Sequence, residues 1–435
     1  MRNTLAALLL AILLFAGCRS SAGSTTDRAL PTPDEGLLAP SAGVVANPAA
    51  AGFEPLPGAQ AYFGMLRGTA FRIEVPRDWN GGLLLWARGF RGYGTEVSAE
   101  LPPAALRQAA IQGGFAWASS SFSQNGYIAA LGANETLLLK RYFAARFGEP
   151  ATTIIAGESM GGHITVLSLE RFPGEYDGGL ALCGVVAGQE WFDYLLGWPL
   201  AAEFIAGVSL PLEDGKAAVE RVLESRVLPA LGRPENATLR GQAFASVIRE
   251  LTGGARPFFD EGFRKAYRYN FGLVTGDPAR EMEVSRAAST QELDYRADPG
   301  LGFDGEVINL GVRRMAADAT LRDPETHPGT APTTGELHAP LLTLHETGDL
   351  SVPISLELSY RRKVDASGHG DLLVQRAIRA PGHCQFSDTE LAAAWEAIVT
   401  WVAGGPKPPG DDLSGGLAGA GMAFTQPLRP GDPGQ

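Results

Sequence analysis

Apolar residues in this chain fall into short blocks separated by polar, Gly- and Pro-rich turns. Residues 69–76 (Thr-Ala-Phe-Arg-Ile-Glu-Val-Pro) alternate with a period of two, the pattern of a strand. Residues 83–87 (Leu-Leu-Leu-Trp-Ala), 152–156 (Thr-Thr-Ile-Ile-Ala) and 179–186 are nearly continuous apolar runs, which read as strands buried on both faces. Residues 114–121, 340–345 and 371–376 complete the set. Helical spacing lies between them. In 133–147, Leu138, Tyr142 and Phe143 share a face opposite Lys140, and in 388–402 Leu391, Trp395, Ile398 and Val402 stay in register. Strands alternating with helices predict an α/β fold with a mostly parallel central sheet covered by helices on both faces. Residues 189–335 break that rhythm. Amphipathic segments near 216–228, 238–251, 258–271, 280–293 and 306–321 follow one another without clear strands, which predicts a helical cap inserted into a core of 53–188 and 336–403.

The ends follow neither period. Arg2 precedes an apolar run of 13 residues, Thr4 to Ala16, too short to span a bilayer as a helix but suited to a secretory signal. It closes in Leu14-Phe15-Ala16-Gly17-Cys18, which resembles the lipobox of bacterial lipoproteins, with Phe15 where that motif usually has Leu. The resemblance implies a signal peptide at 1–17, lipidation of Cys18, export, and a lipid-anchored place in a bacterial cell envelope. A plain signal peptide with an incidental Cys is the other reading. The Ser/Ala/Gly/Pro-rich stretch 18–52 reads as a flexible tether, and the Gly/Pro-rich 404–435 as a disordered tail.

Composition narrows the chemistry. Net charge is −12 with no Lys/Arg block, which argues against nucleic acid as a partner. Three cysteines among 435 residues exclude a disulfide-dense scaffold. There is no CxxC pair and no HExxH helix, so no metal site is expected.

One constellation remains. Gly157-Glu158-Ser159-Met160-Gly161-Gly162 directly follows the 152–156 strand and opens a helix predicted at 160–171. This is the context that the G-x-S-x-G pattern requires. Small residues two before and two after the serine let strand and helix pass closely on a strained turn. The turn lifts the Ser159 hydroxyl to the carboxyl end of the sheet, where the Met160 N–H can meet a developing oxyanion. A serine needs a base. Of six histidines, His163 lies on the helix after Ser159, where it packs or is solvated. His345 sits inside an apolar strand, and His327, His338 and His369 lie in loops. His383, in Ala380-Pro-Gly-His-Cys384, follows the 371–376 strand and can reach a serine at the same edge. An orienting carboxylate belongs at the end of the preceding strand, where Gly348-Asp349 follows 340–346. Asp365 ends a helix, Asp371 starts a strand at the wrong edge, and Glu346 comes two or three residues early, so Asp349 is preferred.

The elbow and the order Ser159, Asp349, His383 resemble the α/β-hydrolase superfamily over about residues 55–403. Within it the chain is similar to secreted bacterial serine esterases, and its Gly-His-Cys run is similar to the tannase and feruloyl esterase group. The resemblance implies a cofactor-free serine hydrolase acting on a small-molecule or polymeric ester. Its rivals are a peptidase or amidase on the same fold and a non-catalytic binding protein. It also implies a second oxyanion donor after the 83–87 strand, where many members have His-Gly and this chain has Arg88-Gly89-Phe90. The Phe90 N–H is the expected donor, with Arg91 the alternative. Arg88 is then either a solvated cation, the preferred reading, or a contact for a substrate carboxylate. Cys183 and Cys384 lie near one sheet edge and either pair in an oxidising compartment, pinning the histidine loop, or remain free thiols. The aromatics at 191–198 and 258–271 are mostly core of the cap, some being available to line an acyl pocket.

Overall fold

The computed structural model describes residues 45–46, 52–273, 284–323 and 329–428. The signal peptide expected at 1–17, Cys18, most of the tether and His327 lie outside these residues. Within the tether, Val45–Ala46 pairs with Glu96–Val97. Among the described residues no helix is long and apolar enough to cross a membrane.

Eight strands form one sheet: β1 Ala59–Leu66, β2 Thr69–Pro76, β3 Gly82–Ala87, β4 Ala116–Ser120, β5 Thr152–Glu158, β6 Gly178–Leu182, β7 Leu341–Glu346 and β8 Leu373–Ile378. Their spatial order is 1-2-4-3-5-6-7-8. Only β2 runs against the rest, antiparallel to β1 and β4, while every pair from β4 through β3 to β8 is parallel. This is the α/β-hydrolase fold that the strand–helix alternation and elbow predict. β1 was not legible from periodicity, because this edge strand leaves Phe63 and Met65 exposed and so shows no polar face.

The sheet sorts its side chains to two cores. Leu83, Leu85 and Ala87 of β3 join the core under α2 (Ala129–Phe147) and α3 (Met160–Arg171). Leu84 and Trp86 join the opposite one, under α1 (Ala104–Gln112) and the C-terminal helix Asp388–Val402. Burial on both faces is why β3 reads as an unbroken apolar run. The expected strand at 179–186 stops at Leu182, since Cys183 turns out of the sheet with a φ of 45°.

Between β6 and β7 the described residues carry helices and no strand: α4 Glu190–Ala206, α5 Lys216–Val222, α6 Leu239–Leu251, α7 Phe259–Leu273 and α8 Gly305–Gly311, with shorter turns between them. Trp198 of α4 is enclosed by Phe244, Phe263 and Phe271. Most of the 258–271 aromatics therefore pack the insertion, while Tyr269 stays exposed. The helix expected at 306–321 ends at Gly311, where Arg313 and Arg314 turn to bond Glu203 and the carbonyls of Thr290 and Leu293. The helix expected at 280–293 is confined, among described residues, to Val284–Ala287.

The tail expected to be disordered is corrected over residues 404–428. Leu413, Leu417 and Ala420 are buried against Ile354 and Ala377. Asp411 accepts the Ala377 N–H, and buried Arg379 donates to the carbonyls of Ala418 and Ala420. Glycines and prolines set the path of this segment, but three apolar side chains and an edge-strand N–H are enough to dock it. Between β7 and β8 lies α9, Ser355–Ala366, and the helix Asp388–Val402 that follows β8 is α10.

Candidate active site

Ser159 occupies a left-handed turn, φ 56° and ψ −117°, between β5 and α3. Such a conformation is costly for a non-glycine residue and persists only where its surroundings impose it. A Cβ on Gly157 would overlap the backbone of Gly161, and one on Gly161 would overlap the Ala87 carbonyl. The two glycines are therefore steric requirements of the crossing. The Ser159 N–H donates to Leu182 O at 2.9 Å, fixing the turn to β6.

The structure brings the three expected side chains together. Ser159 Oγ lies 2.9 Å from His383 Nε2, and His383 Nδ1 lies 2.6 Å from Asp349 Oδ2. These residues follow β5, β8 and β7 at the carboxyl edge of the sheet. Asp349 is 1% exposed, and its other oxygen, Oδ1, accepts the N–H groups of Ser351 and Val352. Burial works against the imidazolium of His383. The charge and hydrogen bond of Asp349 outweigh it and raise the histidine above its ordinary 6.5. If His383 is the base, its neutral form is lost as pH falls through that raised value. The acid limb of kcat/KM is then expected to have its midpoint above 6.5. A midpoint below 6.5 in a pH–rate profile would contradict it.

Both segments expected to supply oxyanion donors pass beside the serine. Met160 is the first residue of α3, and the 88–90 loop passes so close that a Cβ on Gly89 would stand 3.4 Å from Ser159 Cβ. Among the described residues neither the Met160 nor the Phe90 N–H donates to a protein acceptor. The Arg91 side chain straps this loop to the elbow: its guanidinium bonds Glu100 at 2.6 Å and Glu158 at 2.9 Å. A cavity of about 360 Å³ opens alongside, walled by Arg91, Glu100, Glu158, Cys384 and Phe386 among others.

Arg88 is corrected on both counts. It is 1% exposed, so it is neither a solvated cation nor open to a substrate carboxylate. It donates to the carbonyls of Ser121, Gln124 and Gly89 and to Asn125 Oδ1, and lies over the Phe122 ring. Five donors in a planar fork suit it to gathering carbonyls from two loops. It thus braces the Gly89-Phe90 segment from beneath.

Cys183 and Cys384 form a disulfide with a Cα separation of 5.3 Å. The bridge joins the turn after β6 to the residue next to His383. Their sulfurs lie within metal-ligand reach of His383, but sulfurs joined in a disulfide are not thiolate ligands. His163 packs: its ring bonds the Tyr127 hydroxyl and the Ala331 carbonyl, and burial, with Arg171 nearby, lowers it to about 3. His345 is buried as expected, yet it is not remote from the site. Its nitrogens face Glu357 at 3.2 Å and the Val352 carbonyl at 2.7 Å, two acceptors that call for two N–H groups. Burial opposes that charge, but Glu357 and then Asp349 prevail and lift His345 to about 9.

Sequence reasoning missed how the insertion holds the acid loop. Tyr194 and Asn270 donate to the Leu350 carbonyl, Trp191 to Ser351 and Arg256 to Thr347. The aromatic cluster at 191–198 was the visible signal. Its polar tips, which reach 156 and 160 residues along the chain, were not.

No family model matches the sequence. The chain is 24% identical over 409 residues to an o-phthalyl amidase of Xanthobacter agilis, covering 80% of this chain and 88% of that one. Among solved structures it is similar to feruloyl esterase B from Aspergillus oryzae, with TM-score 0.43, 13% identity, and coverage of 81% of this chain and 82% of that one. It is also similar to an esterase/lipase from an uncultured bacterium, with TM-score 0.42, 11% identity, and coverage of 81% and 87%.

Proposed function

We propose that this protein is a serine hydrolase that cleaves carboxylic esters through an acyl-enzyme. The observation that carries this reading is the continuous hydrogen-bonded line from Ser159 through His383 to Asp349. In this mechanism Ser159 Oγ attacks the carbonyl carbon while His383 Nε2 takes its proton. Asp349 holds the Nδ1 proton and stabilises the imidazolium. The N–H groups of Met160 and Phe90 receive the oxyanion. Collapse of the tetrahedral intermediate expels the alcohol, which takes the proton from His383. Water, activated by the same imidazole, then releases the acid and restores Ser159. None of these steps calls on a metal or cofactor.

An amide reading is favoured by one observation, the likeness to the amidase of Xanthobacter agilis over most of both chains. The two readings share every residue and differ in the leaving group. An amine is expelled less readily than an alcohol and depends more on protonation by His383, so the ester is the less demanding substrate for this site. The test is a set of matched ester and amide substrates with one acyl group, compared by initial rate, beside labelling with a fluorophosphonate. Labelling with higher kcat/KM on the ester is expected. A higher kcat/KM on the amide would transfer the assignment to amidase, and no labelling of folded protein would remove it.

We also infer export with lipid anchoring at Cys18, so that a membrane is a partner alongside the ester substrate. The Cys183–Cys384 bridge supports an oxidising compartment.

A further inference from the structure

Glu346 ends β7 with no exposed surface and takes no part in the chemistry above. One of its oxygens, Oε1, accepts the backbone N–H of Gln385, and the other, Oε2, is buried without a partner. A buried carboxyl with a single donor and no cation bonded to it is a poor choice for stability alone. Its placement is informative. Three consecutive residues of the histidine loop are each tied to the sheet edge: His383 to Asp349, Cys384 to Cys183, and Gln385 to Glu346. Cys384 has a φ of 56°, so the backbone between the ring and the third tie is in a conformation that needs support.

We propose that Glu346 is a positioning residue for His383, acting through the Gln385 N–H. This rests on the reading of Ser159 and His383 as nucleophile and base. Without the tie, a part-buried N–H loses its acceptor and the loop must shift to find another, carrying His383 away from Ser159.

The groups around Glu346 decide its charge. Asp349 lies in its own loop, His345 precedes it on β7, and His383 comes from the loop after β8. Glu357 of α9 stands behind His345, and Arg256 of the insertion bonds the Thr347 carbonyl. Asp349 has two N–H donors and the His383 ring, whereas Glu346 has one donor. Burial, then the negative charge of Asp349, outweigh the two imidazoles and raise Glu346 to about 8. It therefore keeps its proton at neutral pH, serves as an acceptor, and adds no second anion beneath the base.

The test compares E346Q, which keeps the acceptor oxygen, with E346A, which removes it. E346A is expected to lower kcat by about ten- to a hundredfold with KM little changed, and to slow fluorophosphonate labelling in step. E346Q is expected to retain kcat at pH 7. Its kcat/KM profile should superimpose on the native acid limb and depart only above about pH 8, where the native carboxyl ionises. Should E346A fail to fold, E346D, which keeps the carboxyl but shortens its reach, carries the same expectation. Native kcat in E346A or E346D, a loss in E346Q as large as in E346A, or a displaced acid limb in E346Q would each overturn the proposal. A catalytically active S159A would instead overturn the reading beneath it.

Discussion

Ser159→Ala is expected to lower kcat on a small aryl ester by about a million-fold and to abolish fluorophosphonate labelling. The oxygen removed has a single role in the structure. Its protein partner is His383 Nε2 at 2.9 Å, whereas the Ser159 N–H and C=O are spent on Leu182, Gly162 and Val185. Alanine keeps the Cβ and leaves those backbone bonds in place, so the turn and the thermal transition should be unchanged. His383→Ala should lose a comparable amount, and the double variant little more than either alone, because a nucleophile and its base act as one unit. Residual rates would reflect binding and the N–H groups of Met160 and Phe90. Retained labelling in a folded S159A protein would mean that another nucleophile carries the reaction.

What could be read from the sequence divides by the range of the interaction. The elbow is local: Gly157, Ser159 and Gly161 lie within five residues, and the same steric conflict that strains Ser159 demands those glycines. His383 and Asp349 were legible through order alone, since each follows a strand of a parallel sheet and parallel strands bring their following loops to one edge. Arg88 was not. Its polarity pointed outward, but two carbonyls and Asn125 some 33 to 37 residues away compensate its burial, and no pattern near position 88 announces them. The docked tail failed similarly. A Gly/Pro-rich segment carries little hydrophobic periodicity, and its acceptors for Ala377 and Arg379 are visible only once β8 is known to lie beside it. Glu346 was read as a rival to Asp349. In three dimensions it serves the neighbouring loop, with its carboxyl turned to Gln385 instead of the imidazole.

Asp349→Asn is expected to lower kcat by about ten-thousand-fold, although asparagine has nearly the same shape. The reason is the way the native carboxylate is divided. Oδ1 accepts two backbone N–H groups, from Ser351 at 2.8 Å and Val352 at 3.1 Å, while Oδ2 accepts the ring N–H of His383 at 2.6 Å. Asparagine has one acceptor oxygen. If that oxygen stays with Ser351 and Val352, its NH2 faces His383 Nδ1 and can be satisfied only by a ring protonated at Nε2. A histidine in that tautomer donates toward Ser159 and cannot take its proton. If the amide flips, the buried Val352 N–H and the part-buried Ser351 N–H meet an NH2 and the 349–352 loop loses its anchors, at a cost of about 1–3 kcal/mol for the buried group. Losing the anion also removes the main influence that raises His383, so the acid limb of any residual activity should move to lower pH. Steady-state kcat and its pH profile check both expectations. Activity within tenfold of native would mean that a different carboxylate orients the base, and Glu346, already bound to the histidine loop, would be the first to examine.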